Sequence, residues 1–543
     1  MLAFAPVVGV AHTAVPGQPD PETAANHKPR KGKVGSVMTS TVTLPLWAVV
    51  LVVVLAVVAL LDRILVPSVR WALRRRANRT IDELNARLKL KIQPFKLTRR
   101  KVLIDRLLFD PEVLSAIEAH AQASSMPRAV ALQQAERYAR EIVPSFSATA
   151  YFAVGTRLAR RISQALYRVR LGYADDDALR AVDPDASVVF VINHRSNMDY
   201  VLVTYVASSS SALSYAVGEW AQVWGLRGLI RSMGAYFVRR DSRDPLYRKI
   251  LSRYVAMATS AGVTQAVFPE GGLTRDGLLR PPKLGLIGYM VAGFDPKSGR
   301  DIVFIPVGVN YDRVLEDRVL TGALAAEAQP GAERRKGPTF RFNPLILAGF
   351  ILKSAGLALR GRWFRYGYAC VSFGRPLSLR SYLWRRGLDF RTLSEDTRHA
   401  EIERLGRLLM EEVGHVVPAL PVPIVATVML AAGDAPLTHF ELKGRAFEVM
   451  QALERRGAYI HIPRSDREYA IDVGLRMLVL RRLVIEDAAG YRINPGEHVL
   501  LAYYANAIAH HFAAEAMAAQ PAAAGTDAAA GGRERVGLAA ARA

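Results

Sequence analysis

From about residue 185, short β-branched runs alternate with stretches of helical periodicity: Val188–Ile192, Tyr236–Val238, Thr264–Phe268, Ile302–Val309 and Ala369–Phe373. Strands separated by helices leave few architectures open. The helices serve as crossovers, so the sheet is largely parallel and covered on both faces, which is why the runs are apolar throughout rather than alternating. Polar motifs follow several of these runs, at the strand ends where open α/β sheets hold their ligands. The expected fold class is α/β, a mixed sheet flanked by helices.

The regions on either side read differently. Leu44 to Leu61 is LPLWAVVLVVVLAVVALL, eighteen residues without a charge, about 27 Å as a helix. A transmembrane helix is expected over 41–62, after a disordered segment over 1–40. Lys28, Arg30, Lys31 and Lys33 precede it, and Arg63, Arg70, Arg74, Arg75, Arg76 and Arg79 follow it. The excess on the carboxy-terminal side favours a cytoplasmic location for the long remainder. Residues 63–175 read as a basic helical region, 176–385 as the α/β domain and 386–518 as a mostly helical domain with a helix–strand–turn–strand run near Met477–Asn494. The Ala/Gly-rich 519–543 reads as a disordered tail. Pro344–Leu359 is apolar but is interrupted by Lys353, and reads as a buried or interfacial helix.

Charge narrows the partners. The 543 residues carry 72 Lys and Arg against 49 Asp and Glu, a net charge of +23. This implies an anionic partner, either nucleic acid or the anionic face of a membrane. The apolar run favours the membrane. A single cysteine, Cys370, excludes a disulfide framework and any multi-cysteine metal site. It lies in an expected buried strand and reads as core packing.

Four motifs carry chemistry. The run Val188–Ile192 leads into Asn193-His194-Arg195-Ser196-Asn197-Met198-Asp199. A histidine leaving a buried strand, with a carboxylate five residues on, is what a general base and its orienting partner require. Asp199 accepts from one imidazole nitrogen, and the other is left to take a proton from a hydroxyl. A His-x4-Asp pair alone is common by chance; its setting between strand and helix, and the motifs downstream, give it weight. Gly234-Ala235-Tyr236-Phe237-Val238-Arg239-Arg240 ends an apolar run in two guanidiniums suited to phosphate, although such pairs are more often surface charge. Phe268-Pro269-Glu270-Gly271-Gly272-Leu273-Thr274-Arg275-Asp276-Gly277, followed by Pro281-Pro282-Lys283-Leu284-Gly285, reads as a tight loop able to hold an anion, or as an ordinary Gly-rich connection. Ile305-Pro306-Val307-Gly308-Val309-Asn310-Tyr311-Asp312 is a strand whose polar end is placed to shape an acyl channel.

In this order and spacing, NHRSNMD, GAYFVRR, FPEGGLTRDG with PPKLGL, and IPVGVNYD resemble the glycerolipid acyltransferases, specifically the glycerol-3-phosphate acyltransferase branch of bacterial inner membranes. The likeness extends over roughly 100–515, including SYAVGEW at 214–220 and the YYxNxIxHxF-like stretch Leu500–Phe512. The resemblance implies an acyltransferase-type mixed sheet. It implies that His194 deprotonates the sn-1 hydroxyl of glycerol 3-phosphate, which attacks an acyl thioester of coenzyme A or acyl carrier protein, and that Asp199 orients His194. Arg239, Arg240, Arg275 and Lys283 become candidate phosphate ligands, Glu270 and Gly271 shape the site, and Arg195 and Ser196 join them as substrate-binding candidates. No cofactor and no metal are required. The implied setting is the inner membrane, single-pass, with the catalytic domain facing the cytoplasm and in contact with anionic lipids.

The family usually reads Glu-Gly-Gly-Arg-Ser-Arg in the third block, where this chain has Leu273 and Thr274 in place of the first Arg and the Ser. Part of the anion site is therefore missing or supplied elsewhere, which keeps dihydroxyacetone phosphate and lysophospholipids open as acceptors. Two other classes compete. A membrane-tethered nucleic-acid-binding protein would use a winged-helix-like 436–494 with Arg455, Arg456, Arg464 and Arg467, but it leaves all four motifs unexplained. A degenerate scaffold is opposed by the presence of both His194 and Asp199. His510 and His511 lack a third ligand at helical spacing and read as structural.

Overall fold

The computed structural model describes residues 45–47, 49–51, 53–54, 90–208, 211–218, 226–239, 242–297, 299–327 and 366–512. The chain divides into two units, Met1–Arg75 and Arg76–Ala543. In the first, the described positions between 46 and 54 are helical, and Leu46, Trp47, Val50 and Leu51 are exposed. Most of the Leu44–Leu61 run lies outside the described residues, as does all of Pro344–Leu359. No helix among the described residues is long and apolar enough to cross a membrane. The membrane helix expected over 41–62 is therefore not among the elements found.

The second unit is built on an eight-stranded mixed sheet. Its strands are β1 (Arg168–Ala174), β2 (Ser187–Ile192), β3 (Ser214–Gly218), β4 (Tyr236–Val238), β5 (Gln265–Val267), β6 (Ile302–Tyr311), β7 (Tyr368–Phe373) and β8 (Leu377–Ser378). They lie in the order β1-β7-β6-β2-β5-β3-β4, with β8 beside β6. From β6 through β2, β5 and β3 to β4 every pairing is parallel; β7 and β8 run antiparallel to β6. All five β-branched runs of the sequence are strands. A sixth, β1, occupies the end of a region that reads as helical, pairing in parallel with β7. It is an edge strand exposing Arg168, Arg170 and Leu171, so its sequence lacks the continuous apolar run of a covered strand.

Every residue of β2 and β6 is buried. Successive side chains of a strand point to opposite faces, and β2 shows this directly. Val188, Phe190 and Ile192 enter one core, which they share with the carboxy-terminal helices Pro421–Ala432, Arg467–Leu480 and His498–Ala505. Val189 and Val191 enter the other, formed with helices Arg100–Leu108, Pro111–Ala123, Arg128–Ile142, Pro245–Ser260 and Glu395–Val416. The helix Pro421–Ala432 is apolar on nearly all sides because other helices surround it. After the Arg467–Leu480 helix, β9 (Val484–Asp487) and β10 (Gly490–Ile493) form the expected hairpin.

Parallel pairing brings the ends of β2, β3, β4, β5 and β6 to one edge of the sheet. The motifs that follow β2 and β5 are therefore neighbours, although more than 70 residues separate them in sequence, as in the 2.7 Å contact between residues 194 and 270.

Candidate active site

The loop leaving β2 is held by its own side chains. Asn193 clamps the adjacent strand, its Nδ2 donating to the Val309 carbonyl at 2.9 Å and its Oδ1 accepting from the Val309 amide at 2.7 Å. The chain then turns into the helix Met198–Ala207, which carries Asp199 in its first turn. Asp199 is completely buried. Its Oδ2 accepts from His194 Nδ1 at 2.9 Å and from the amides of Arg195 and Ser196 at 2.7 and 3.0 Å. Its Oδ1 accepts from the Tyr311 hydroxyl at 2.6 Å. Four donors around one carboxylate offset the cost of removing it from water.

A carboxylate on Nδ1 assigns the proton to that nitrogen, leaving Nε2 with a bare lone pair. Nε2 is buried and has no hydrogen-bond partner among the described residues. The ring is fixed by Phe268, with centroids 4.2 Å apart, and by the edge-on ring of Tyr200 at 5.4 Å. An unsatisfied acceptor in so rigid a setting calls for an explanation.

Glu270 lies next to His194 but does not line the cavity that His194 opens onto. Its Oε1 accepts from the His194 amide at 2.7 Å and its Oε2 from the Arg280 amide at 3.3 Å, so it braces two loops. Burial pushes its carboxyl up to about 7, against the pull of these amides and of Arg195. Glu316, which no motif singled out, accepts from the Ser196 hydroxyl at 2.7 Å and from the Asn197 amide and side chain; burial raises its carboxyl as well.

Arg195 and Ser196 lie elsewhere than expected of substrate-binding residues. Arg195 is buried, its guanidinium donating to the carbonyls of Gly277 at 2.8 Å and Ala507 at 2.9 Å. It ties the β2 loop to the third motif and to the carboxy-terminal segment, which also donates from Asn506 Nδ2 to the Asp276 carbonyl. Gly277, at φ +85°, is where these segments meet; a Cβ there would stand 2.0 Å from the Tyr503 carbonyl oxygen. The stretch Leu500–Phe512 thus seals the back of the site. His510 and His511 place their Nε2 atoms 3.0 and 3.1 Å from the carbonyls of Gly414 and Val417. The fourth motif also braces: Tyr311 holds Asp199, Asn310 Nδ2 donates to the Pro418 carbonyl at 2.8 Å, and none of Phe304–Asp312 lines the cavity. Cys370 is core, its thiol pushed up to about 12 by burial.

The cavity measures about 190 Å³. Its walls include His194, Tyr200, Arg239, Arg248, Gly271 and Lys283, with Val217, Leu251 and Ile287 as apolar surface. Gly271 has φ +69° and lies under the Lys283 stem, whose Cδ would be 2.5 Å from a Cβ there. Arg239 is held bidentately by Glu141, with donor–acceptor distances of 2.9 and 2.6 Å, between the rings of Tyr138 and Tyr247. That carboxylate raises its already high pKa. Arg240 lies outside the described residues, and Arg275 does not line the cavity. Leu273 packs against the apolar core, and Thr274 closes its own turn, its hydroxyl accepting from the Gly277 amide at 3.1 Å. Among the described residues no group of three or more His, Cys, Asp and Glu is placed to hold a metal ion.

Two family models match the chain: an acyltransferase model over residues 174–310, and the glycerol-3-phosphate acyltransferase C-terminal region over 354–534. The chain is similar to curated proteins named glycerol-3-phosphate acyltransferase. The enzyme of that name from Pseudomonas putida strain W619 is 28% identical over 444 residues, which are 78% of this chain and 50% of that protein. The one from Aeromonas hydrophila is 26% identical over 436 residues, 78% of this chain and 51% of that protein. This chain thus spans about half the length of the curated relatives it matches. A crystal structure of the 1-acyl-sn-glycerophosphate acyltransferase of Thermotoga maritima overlaps 48% of this chain and 79% of that one, at 17% identity and a TM-score of 0.27, too loose a superposition to carry an argument.

Proposed function

We propose that the protein transfers an acyl group from acyl-coenzyme A or acyl-carrier protein to the sn-1 hydroxyl of glycerol 3-phosphate, forming lysophosphatidate for phospholipid synthesis. The observation that carries this reading is the buried, unpartnered Nε2 of His194, opposite an Nδ1 held by Asp199, at a cavity that also presents cations. In this reading Nε2 takes the proton of the acceptor hydroxyl as its oxygen attacks the thioester carbonyl. Asp199 keeps the ring in the required tautomer and stabilises the imidazolium that forms. The tetrahedral intermediate collapses with cleavage of the C–S bond, and the imidazolium returns the proton to the departing thiolate. The reaction needs no cofactor and no metal, and the acyl thioester is a co-substrate.

The product and donor are amphiphiles, and the +23 charge suits an anionic lipid surface. We place the protein at the inner membrane, attached through 41–62, with the acyltransferase domain on the cytoplasmic side. The residue blocks 176–385 and 386–518 are proposed as the catalytic and carboxy-terminal domains.

Acyl transfer by membranes carrying the full chain or His194→Ala tests the reading, with glycerol 3-phosphate, dihydroxyacetone phosphate and lysophosphatidate offered in parallel. Turnover of glycerol 3-phosphate that vanishes in the variant is expected. Preference for another acceptor would overturn the substrate while leaving the reaction type. Equal activity of both proteins would overturn the base, and no turnover by either would point to a scaffold.

A further inference from the structure

The cavity's cations are not equivalent. Arg239 spends two of its guanidinium nitrogens on Glu141. Arg248 and Lys283 have no carboxylate partner among the described residues. The contact of Arg248 with the Arg243 carbonyl, at 3.5 Å, is long and leaves its fork uncommitted. In the third motif Leu273 packs against the core and Thr274 closes its own turn, so neither adds a charge to the cavity.

The helix Pro245–Ser260 sets where Arg248 stands. Tyr247 is fully buried and accepts from the Arg239 amide at 3.0 Å, which pins the first turn of the helix to the end of β4. Leu251, three residues beyond Arg248, lines the same cavity, so one helix face looks into it. Opposite, Lys283 is anchored by its amide to the Pro269 carbonyl at 2.7 Å, and its stem crosses Gly271. An uncommitted guanidinium and an ammonium at the cavity that also holds His194 suit a molecule with a hydroxyl at one end and a phosphate at the other.

We propose that Arg248, with Lys283, is the phosphate-binding residue of the acceptor subsite. This rests on the acyl-transfer reading above. The bidentate contact is to the phosphate monoester of the acceptor, not to a phosphate of the acyl donor.

The test compares the full chain with Arg248→Gln and Arg248→Lys in membranes, varying glycerol 3-phosphate at saturating acyl-coenzyme A and then the reverse. Binding of glycerol 3-phosphate without donor is measured in parallel by equilibrium dialysis. Loss of a charge-assisted contact predicts an acceptor KM and Kd about 10- to 100-fold higher in Arg248→Gln. Partial recovery is expected in Arg248→Lys, with the donor KM unchanged; the unchanged donor KM also shows that the variant folds. An unchanged acceptor Kd in Arg248→Gln would overturn the assignment, as would a rise confined to the donor KM. A wild-type protein that binds glycerol 3-phosphate without acylating it would sink the acyl-transfer reading. The loss of binding in Arg248→Gln would then still uphold the anion site, and no binding by the wild type would overturn both.

Discussion

The two ends of the cavity are built by different means. At the His194 end every group is buried and held by something equally buried: Asp199 by three amide or ring donors and a tyrosine, the His194 amide by Glu270, and Arg195 by two carbonyls. At the cationic end Lys283 and Arg248 are exposed side chains that keep their charges in water. Buried polar networks tolerate no missing member, because each deletion strands a desolvated partner. Exposed charges are screened and act one at a time. The His194 end is therefore expected to be rigid in sequence and the cationic end exchangeable.

Substitutions can break the comparison. His194→Ala is expected to lower turnover most, by about 10³- to 10⁴-fold at unchanged acceptor KM. A residual rate within tenfold of wild type would remove the base from the mechanism. Asp199→Asn comes next, with about 10²- to 10³-fold in kcat, since the amide keeps the shape but favours the wrong tautomer. A loss expressed only in the acceptor KM would show that Asp199 serves binding instead.

Glu270 sharpens the contrast through pH. Its folded carboxyl titrates near 7, above an ordinary glutamate, because burial penalises the charge. The folded state then holds the proton more tightly than the unfolded one. That stabilisation is complete below about pH 4.5 and is lost as pH rises through 7, a change of at most about 3 kcal/mol. Denaturant unfolding of wild type and Glu270→Gln between pH 5 and 8 checks this: the wild type is expected to lose stability relative to the variant as pH rises, and parallel curves would refute it. The smallest effect is expected at the other end, where Lys283→Gln raises the acceptor KM about tenfold or less with kcat kept. Collapse of kcat in that variant would erase the distinction between the two ends.

The strands at the centre of the sheet were legible because β2, β5, β6 and β7 are covered on both faces and so carry uninterrupted apolar runs. β1 was not, since an edge strand keeps its arginines in water. Within the site, His194 and Asp199 were legible because a five-residue spacing over a strand–helix turn is local geometry. The roles of Glu316, Tyr311 and Arg195 were not, because their partners lie 82 to 312 residues away in sequence.

From its sequence alone the chain determines an α/β sheet, the identity of the histidine and its carboxylate, and the excess of positive charge. Each of these depends on residue type or on neighbours within about one turn. Which cations face the cavity, and which arginine is a brace and which is left uncommitted, were decided only by the tertiary structure. A guanidinium's role depends on what stands opposite it. Glu141 is opposite Arg239, two carbonyls are opposite Arg195, and no carboxylate among the described residues is opposite Arg248.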